Sequence, residues 1–421
     1  MRVLFTVSSW PTHYSAMVPY GWALQALGHE VQVLCAPSQV DSVGATGLVP
    51  VPLLDGMSVV LGNRLQYYRS AVDGTWPYPW LPLHPVTGVQ LHRLGDFDLT
   101  DYRRRVEPEL AARAGRSFDA AVEFVRWWRP DLVLHDPVSL EGLLAARVNR
   151  LPSALCLWGL TGTREAPEAA VVPEDFSGSF PRYGLHPDPV ALVEHVVDPC
   201  PVSAAPPTSA VRLPVRYVPY NGSAPAPPWL AEPPDRPRVC VTWSTALSTM
   251  SGPNSYVLPR LVRALLDLDV EVVVAATVQD AAALGEVAGP VRVMPRLPLR
   301  LVAPTCAAVI HHGGAGSTMT SLWSGVPQLA VTFAGEQAAV GDRIAAVGAG
   351  RHLPGHLADR DAITTAVADL IRTGSYRMRA AALREEMLIR PTPVDLISTL
   401  EKLTANGCDP ARITVGNGGF G

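Results

Sequence analysis

Charged side chains are scarce in this 421-residue chain, at 17%, and the formal net charge is only −4. No basic stripe and no acidic tail stands out, so nucleic acid is not an expected partner. Cysteine is also sparse: Cys35, Cys156, Cys200, Cys240, Cys306 and Cys408 stand far apart, with no CxxC pair. Thiols so spaced form neither a disulfide frame nor a zinc site and read as reduced core residues of a cytoplasmic protein. No apolar run reaches the ~18 residues a membrane span requires. The opening run Met1-Arg2-Val3-Leu4-Phe5-Thr6-Val7-Ser8 is too short for a signal peptide and has strand character. No membrane contact is expected, and there is no tandem repeat.

What is abundant is apolar surface, 48% of residues, and proline, 41 residues. A chain this long exceeds one ordinary core, and two domains of roughly 200 residues each are expected. Both read as α/β, with strands and helices alternating as in a doubly wound parallel sheet. In the first half, a strand at residues 2–8 leads through a turn at 10–15 into a helix at 17–27, with Gly28 at its end, and a strand at 30–35. A long helix is expected from about 101 to 128, followed by a strand at 131–134. Alternation restarts at residues 238–243 and continues to 328–332. The divisions expected are a first domain at 1–205, a proline-rich linker at 206–232, a second domain at 233–390, a closing helix at 391–405 and a glycine-rich disordered tail at 406–421.

The most informative segment is Ala307-Ala308-Val309-Ile310-His311-His312-Gly313-Gly314-Ala315-Gly316-Ser317-Thr318. A buried strand ends, glycines permit close approach to a ligand, and a helix starts whose free N–H groups and dipole favour an anion. The residues alone also allow a plain strand-to-helix turn with Ser317 as N-cap. Neither a Walker A loop nor GxGxxG is present. About twenty residues on, Glu336-Gln337 pairs an acceptor with a donor suited to sugar hydroxyls, or simply opens a helix. His13 lies in the turn after the first strand, at the carboxyl edge where open α/β sheets place ligands. A neutral imidazole there is available as a base, with Asp136, after the strand at 131–134, as the carboxylate to orient it. A loop histidine and a capping aspartate are the plainer alternative.

These segments, with Leu157-Trp158-Gly159, Arg216-Tyr217-Val218-Pro219-Tyr220-Asn221-Gly222 and Pro391-Thr392-Pro393, resemble the antibiotic glycosyltransferases of macrolides and aromatic polyketides, the bacterial branch of the UDP-glycosyltransferase superfamily. The resemblance covers about residues 1–405 and implies the GT-B fold: two Rossmann-like domains facing each other across a cleft, with a C-terminal helix crossing back. It implies an acceptor site in the first domain and a nucleotide-sugar site in the second. By this resemblance His13 is the general base and Asp136 its partner. Thr245, His312, Gly314, Gly316 and Ser317 hold the donor diphosphate, and Glu336 and Gln337 contact the donor sugar.

The same resemblance makes a dTDP-linked deoxysugar the expected co-substrate and a lipophilic aglycone the acceptor, joined with inversion and without a metal. There are departures. Arg296 or Leu297 stands where many members stack an aromatic residue on the base. Trp243-Ser244-Thr245 lacks the usual glycine, and Glu336 replaces the commoner Asp. Asp96-Phe97-Asp98 and Asp267-Leu268-Asp269 are Asp-x-Asp pairs, but neither adjoins the glycine loop; both read as solvated carboxylates, so no metal cofactor is expected. Trp10, Trp80 and Trp158 are the candidate acceptor contacts. C-glycosylation of an aromatic acceptor, a turnover-free helper protein and a nucleotide-sugar epimerase are the competing readings. A homodimer and an auxiliary activator protein stay open as partners.

Overall fold

The computed structural model describes residues 1–10, 12–55, 58–243 and 246–406; the expectations for Thr245, for Cys408 and for a disordered tail lie outside them, Asn406 apart. The first sheet contains β1 (Arg2–Thr6), β2 (Glu30–Leu34), β3 (Val49–Val51), β4 (Leu132–His135), β5 (Ser153–Cys156), β6 (His195–Asp198) and β7 (Val211–Pro214), in the order β3-β2-β1-β4-β5-β6-β7. The second contains β8 (Arg238–Trp243), β9 (Glu271–Ala276), β10 (Val291–Pro295), β11 (Ala308–His311), β12 (Gln328–Thr332) and β13 (Gly350–Pro354), in the order β10-β9-β8-β11-β12-β13. Every pairing is parallel. Central strands such as β4 and β12 are buried along their length, as expected of sheets covered by helices on both faces.

In both sheets the strand order reverses at one place, between β1 and β4 and between β8 and β11. Parallel strands open their carboxyl ends at a shared edge, and the reversal leaves a crevice there. Register does the rest. Thr6 of β1 pairs with His135 of β4, so Ser8 and Asp136 emerge side by side. Ile310 of β11 pairs with Val241 of β8, which brings the glycine turn to the mouth of the second crevice.

Three sequence expectations are adjusted. The linker expected at 206–232 contains β7, an edge strand of the first sheet; only four residues long and paired to β6 alone, it carries no readable periodicity. The chain between the sheets is therefore residues 215–237. The long helix expected from 101 divides into Leu99–Arg105 and Glu107–Trp128, because Pro108 cannot donate its backbone to Arg104 and must sit in the first turn of a new helix. The closing helix runs from Pro393 to Asn406 and inserts Leu396, Ile397 and Leu400 into the first domain's core beside Tyr20 and Leu24.

The domains share a buried cluster at their seam. Leu160 and Cys200 from the first, with Tyr217 from the chain between the sheets, pack with Met319, Leu322, Val340 and Ile344 from the second. Gly159 makes this possible: a Cβ there would lie 2.7 Å from Met319 Cγ. The Arg343 guanidinium crosses the seam, donating to the Leu160 carbonyl at 2.6 Å and to Glu165 Oε2 at 2.5 Å. Tyr217 and Asn221 of the Tyr-Val-Pro-Tyr-Asn-Gly segment meet the Thr320 hydroxyl at 3.3 and 3.2 Å. That segment is thus the joint between domains. The returning helix is tested by Ile397→Ala: a fully buried isoleucine cut to alanine costs about 2–5 kcal/mol. A lowered thermal unfolding midpoint is expected, and an unchanged one would mean the helix adds nothing to the first domain.

Candidate active site

Between the two sheet edges lies a cleft of about 2660 Å³. A drug-sized ligand fills about 300–1,000 Å³, so this space admits two such molecules at once. On the first-domain side, His13 opens a short 3-10 turn, His13–Ala16, directly after β1 and its loop. Its Nδ1 is 2.8 Å from the Ser8 hydroxyl, and its ring lies against Trp158, centroids 3.8 Å apart at 28°. Desolvation pushes its imidazolium down to about 3, so the ring is neutral at physiological pH.

Asp136 is fully buried. Its Oδ2 accepts the Ser8 N–H at 2.7 Å, and its Oδ1 accepts the N–H groups of Val138 and Ser139, both at 2.8 Å. Burial raises its pKa, and these bonds, with the Ser8 hydroxyl, counter that rise. The sequence expectation joined His13 to Asp136 directly. In the described hydrogen bonds Ser8 stands between them. Nothing in the sequence singles out Ser8 from its neighbour Ser9; only the β1–β4 register does.

On the second-domain side, β11 ends at His311, whose ring is bonded both ways: Nδ1 accepts the Gly313 N–H at 3.0 Å and Nε2 meets Gln328 Oε1 at 2.7 Å. It braces the turn. His312 faces the cleft, its Nδ1 without a partner and its pKa lowered to about 4, first by burial and then by His311. Gly313 has φ +88°, and a Cβ on it would meet Gln337 Cβ and carbonyl oxygen at 3.0 Å. The helix Ala315–Trp323 then starts with Gly314, not Ser317, as N-cap, and no side chain caps it. The first helical bond is Thr318 N–H to the Gly314 carbonyl, so the N–H groups of 315–317 precede it and are free for a ligand. A Cβ built on Gly316 would meet nothing within 4 Å. The strand-to-helix turn expected from glycine is there, and it opens into the cleft.

Glu336 and Gln337 begin the helix Gly335–Ala346 beside this turn. Gln337 donates to Glu336 Oε1 at 3.3 Å and accepts the Phe333 N–H at 3.2 Å. Burial raises the Glu336 carboxyl. Arg296 and Leu297 follow β10 and line the cleft, Arg296 in the left-handed region at φ 59°. Trp10 and Trp158 line it too. Trp80, expected on the acceptor side, does not: it stacks on Tyr78, 5.5 Å away at 14°, and packs against the second domain's core near His356. Its loop bridges domains, a role that aromatic composition cannot distinguish from ligand contact.

The Asp-x-Asp carboxylates are engaged elsewhere. Asp96 bonds Arg93, Asp98 caps the helix Leu99–Arg105, Asp267 pairs with Arg360 and Asp269 with Arg236. Among the described residues no group of three or more His, Cys, Asp or Glu has metal-site geometry.

The glycine turn yields a direct test. Gly313→Ala forces a side chain into a strained backbone at about 1–3 kcal/mol, and should weaken thymidine diphosphate binding about tenfold or more. Titration calorimetry reads it; unchanged affinity would place the ligand away from this turn.

Comparison with known proteins agrees with this geometry. Residues 114–244 match the N-terminal domain of the "Erythromycin biosynthesis protein CIII-like" family, and residues 259–403 match its C-terminal domain. The chain is 33% identical to aklavinone 7-beta-L-rhodosaminyltransferase of Streptomyces galilaeus, over 96% of each protein. It is also 33% identical to 10-deoxymethynolide desosaminyltransferase of Streptomyces venezuelae, over 96% of this chain and 97% of that one. The structure of spinosyn rhamnosyltransferase SpnG complexed with thymidine diphosphate superimposes with a TM-score of 0.73 at 28% identity, covering 95% of this chain and all of that one. Glycosyltransferase VinC in complex with dTDP gives 0.71 at 25% identity, over 97% of this chain and 100% of that one. Two parallel sheets opening onto one cleft, related at this level over nearly the whole chain to enzymes that move deoxysugars, make this protein a GT-B glycosyltransferase of the erythromycin CIII-like antibiotic family.

Proposed function

We propose that this enzyme transfers a deoxysugar from a dTDP-sugar to a hydroxyl of a polyketide or macrolide aglycone, with inversion and without a metal ion. The observation that carries the reading is the facing pair across one cleft: a neutral histidine on one side, an uncapped helix N-terminus with His312 on the other. Relatives bearing the same fold hold thymidine diphosphate, which supports dTDP as carrier. The names of sequence relatives, acting on aklavinone and 10-deoxymethynolide, support a polyketide acceptor.

In this mechanism the acceptor hydroxyl lies against His13. Its oxygen attacks the anomeric carbon while His13 takes the proton. The bond to the diphosphate oxygen breaks on the opposite face, which inverts the centre. One further negative charge then develops on the leaving β-phosphate oxygen of dTDP, beside the two that the diphosphate already carries. The N–H groups of residues 315–317 and His312 are set to receive them without rearrangement, the condition under which electrostatic stabilisation is strongest. Glu336 and Gln337 hold the sugar hydroxyls, and Arg296 with Leu297 borders the base. The Asp-x-Asp carboxylates take no part, each being bonded away from the cleft.

The test is transfer itself, with a panel of dTDP-, UDP- and GDP-sugars against polyketide aglycones and the anomeric configuration read by NMR. His13→Ala should lower kcat about 10²–10⁴-fold, the usual worth of a general base. A variant at full rate removes His13 from the mechanism. The pH dependence has a definite sign. His13 works when neutral, and its environment holds it below the ordinary 6.5. The free-enzyme profile, kcat/KM, should therefore stay level as pH falls through 6.5 and decline only below it. A limb centred at or above 6.5 would assign the base elsewhere. Activity should also persist in excess EDTA; loss restored by a divalent cation would overturn the metal-free leaving-group step.

A further inference from the structure

Resting on the reading that Glu336 and Gln337 hold the donor sugar, we propose that the turn at residues 167–170 of the first domain is the opposite wall of that subsite, with Ala170 as a specificity-determining residue that sets the room left for the sugar. What places the turn there is a missing side chain. Gly335 opens the helix Gly335–Ala346, one position before Glu336. A Cβ on Gly335 would overlap the Glu168 carbonyl oxygen and lie 2.7 Å from the carbonyl carbon. The turn therefore lies against the end of the helix that presents Glu336 and Gln337. Further along the same helix, about 12 Å on at 1.5 Å per residue, Arg343 bonds the Leu160 carbonyl and Glu165. One first-domain segment is thus pinned at two points along one second-domain helix.

Between those points both surfaces face the cleft. Pro167, Glu168 and Ala170 on one side and Glu336, Gln337 and Val340 on the other line it, whereas Ala169 is buried. Ala170 itself is exposed, and its side chain ends at one carbon. The turn is a fixed wall, not a flap. Gln66 donates to the Pro167 carbonyl at 3.0 Å, Glu165 Oε1 accepts the Gly162 N–H at 2.6 Å, and the Pro207 carbonyl accepts the Arg164 N–H at 3.2 Å. A wall already in place costs no ordering when the sugar arrives. The glycine turn at 313–317 and the residues at the base end, Arg296 and Leu297, all belong to the second domain. The nucleotide is therefore held by one domain and the sugar by two. Were the turn only packing at the seam, changing it would alter docking and stability without separating sugar from nucleotide.

Titration calorimetry of the full-length protein, with thymidine diphosphate and with dTDP-glucose, reads the difference directly. Ala170→Trp, a substitution at an exposed position, should weaken dTDP-glucose binding about fivefold or more and leave thymidine diphosphate within about twofold. Gly335→Ala, which pushes the turn off the helix end, should show the same selective loss. A folded variant that binds both ligands as the wild type does, or loses both equally, overturns the proposal. Should Gly335→Ala not fold, Ala170→Trp alone decides, its folding checked by the thermal unfolding midpoint. Glu336→Ala separates this proposal from the reading beneath it. If Glu336→Ala loses dTDP-glucose selectively and Ala170→Trp does not, only the wall is wrong. If neither does, the placement of the sugar at Glu336 fails first.

Discussion

A helix end with free N–H groups does nothing for a departing diphosphate unless a nucleophile is held on the far side of the sugar. What holds it is the seam between domains. Each parallel sheet opens its carboxyl edge at its own point of strand reversal, but only docking turns the two edges toward each other. That docking rests on the absence of a side chain at Gly159, which admits Met319 into a shared apolar cluster, and on Arg343, which satisfies the Leu160 carbonyl and Glu165 at once. Arg343 is the stronger orienting element because its planar fork binds two acceptors in fixed geometry. Both contacts lie one turn or less from the residues that line the cleft. Leu160 is two positions from Trp158, which covers the His13 ring, and Met319 lies in the helix whose uncapped N-terminus opens into the cleft.

Much of this was legible in the sequence because its cause is local. The glycine turn after β11 announces itself, since a buried strand, three small residues and a helix start leave few conformations for the backbone. The placement of His13 and Asp136 at one edge followed from strand alternation alone. What was not legible depends on register or on tertiary partners. Ser8 enters the site only because Thr6 pairs with His135. The four-residue β7 gains its strand geometry from β6, not from its own pattern. Trp80 has the composition of a ligand contact, but its neighbours Tyr78 and His356 draw it onto the second domain. The break at Val106 is the exception: Pro108 stands in the sequence and marks a helix boundary on steric grounds.

The histidines illustrate how one physical effect serves different ends. Burial depresses His13, His311 and His312 alike, to about 3, 4 and 4. For His311, bonded at both nitrogens, neutrality is the condition of its bracing role, because Nδ1 must accept the Gly313 N–H. In the proposed mechanism His13 needs neutrality for its basicity. In His312, the unpartnered Nδ1 is a polar atom left without compensation until something enters the cleft. An arriving diphosphate would reverse its electrostatics, since a nearby anion favours the protonated ring.

Asp136, buried behind the cleft, and Glu336, half-buried on its wall, are distinguished by the same accounting. Burial raises both Asp136 and Glu336. Asp136 has three backbone N–H groups at 2.7–2.8 Å, which favour its charged form against the burial that opposes it. Glu336 has one neighbouring side-chain donor, Gln337, at 3.3 Å. Its own and Gln337's backbone N–H groups also favour its charge. In the proposed mechanism a carboxylate in the first turn of a helix whose dipole favours its charge gains from hydroxyls that arrive with the substrate. On that mechanism, a carboxylate behind His13 and one facing the substrate are two settings of one device. The first is completed by the fold, and the second by the molecule it binds.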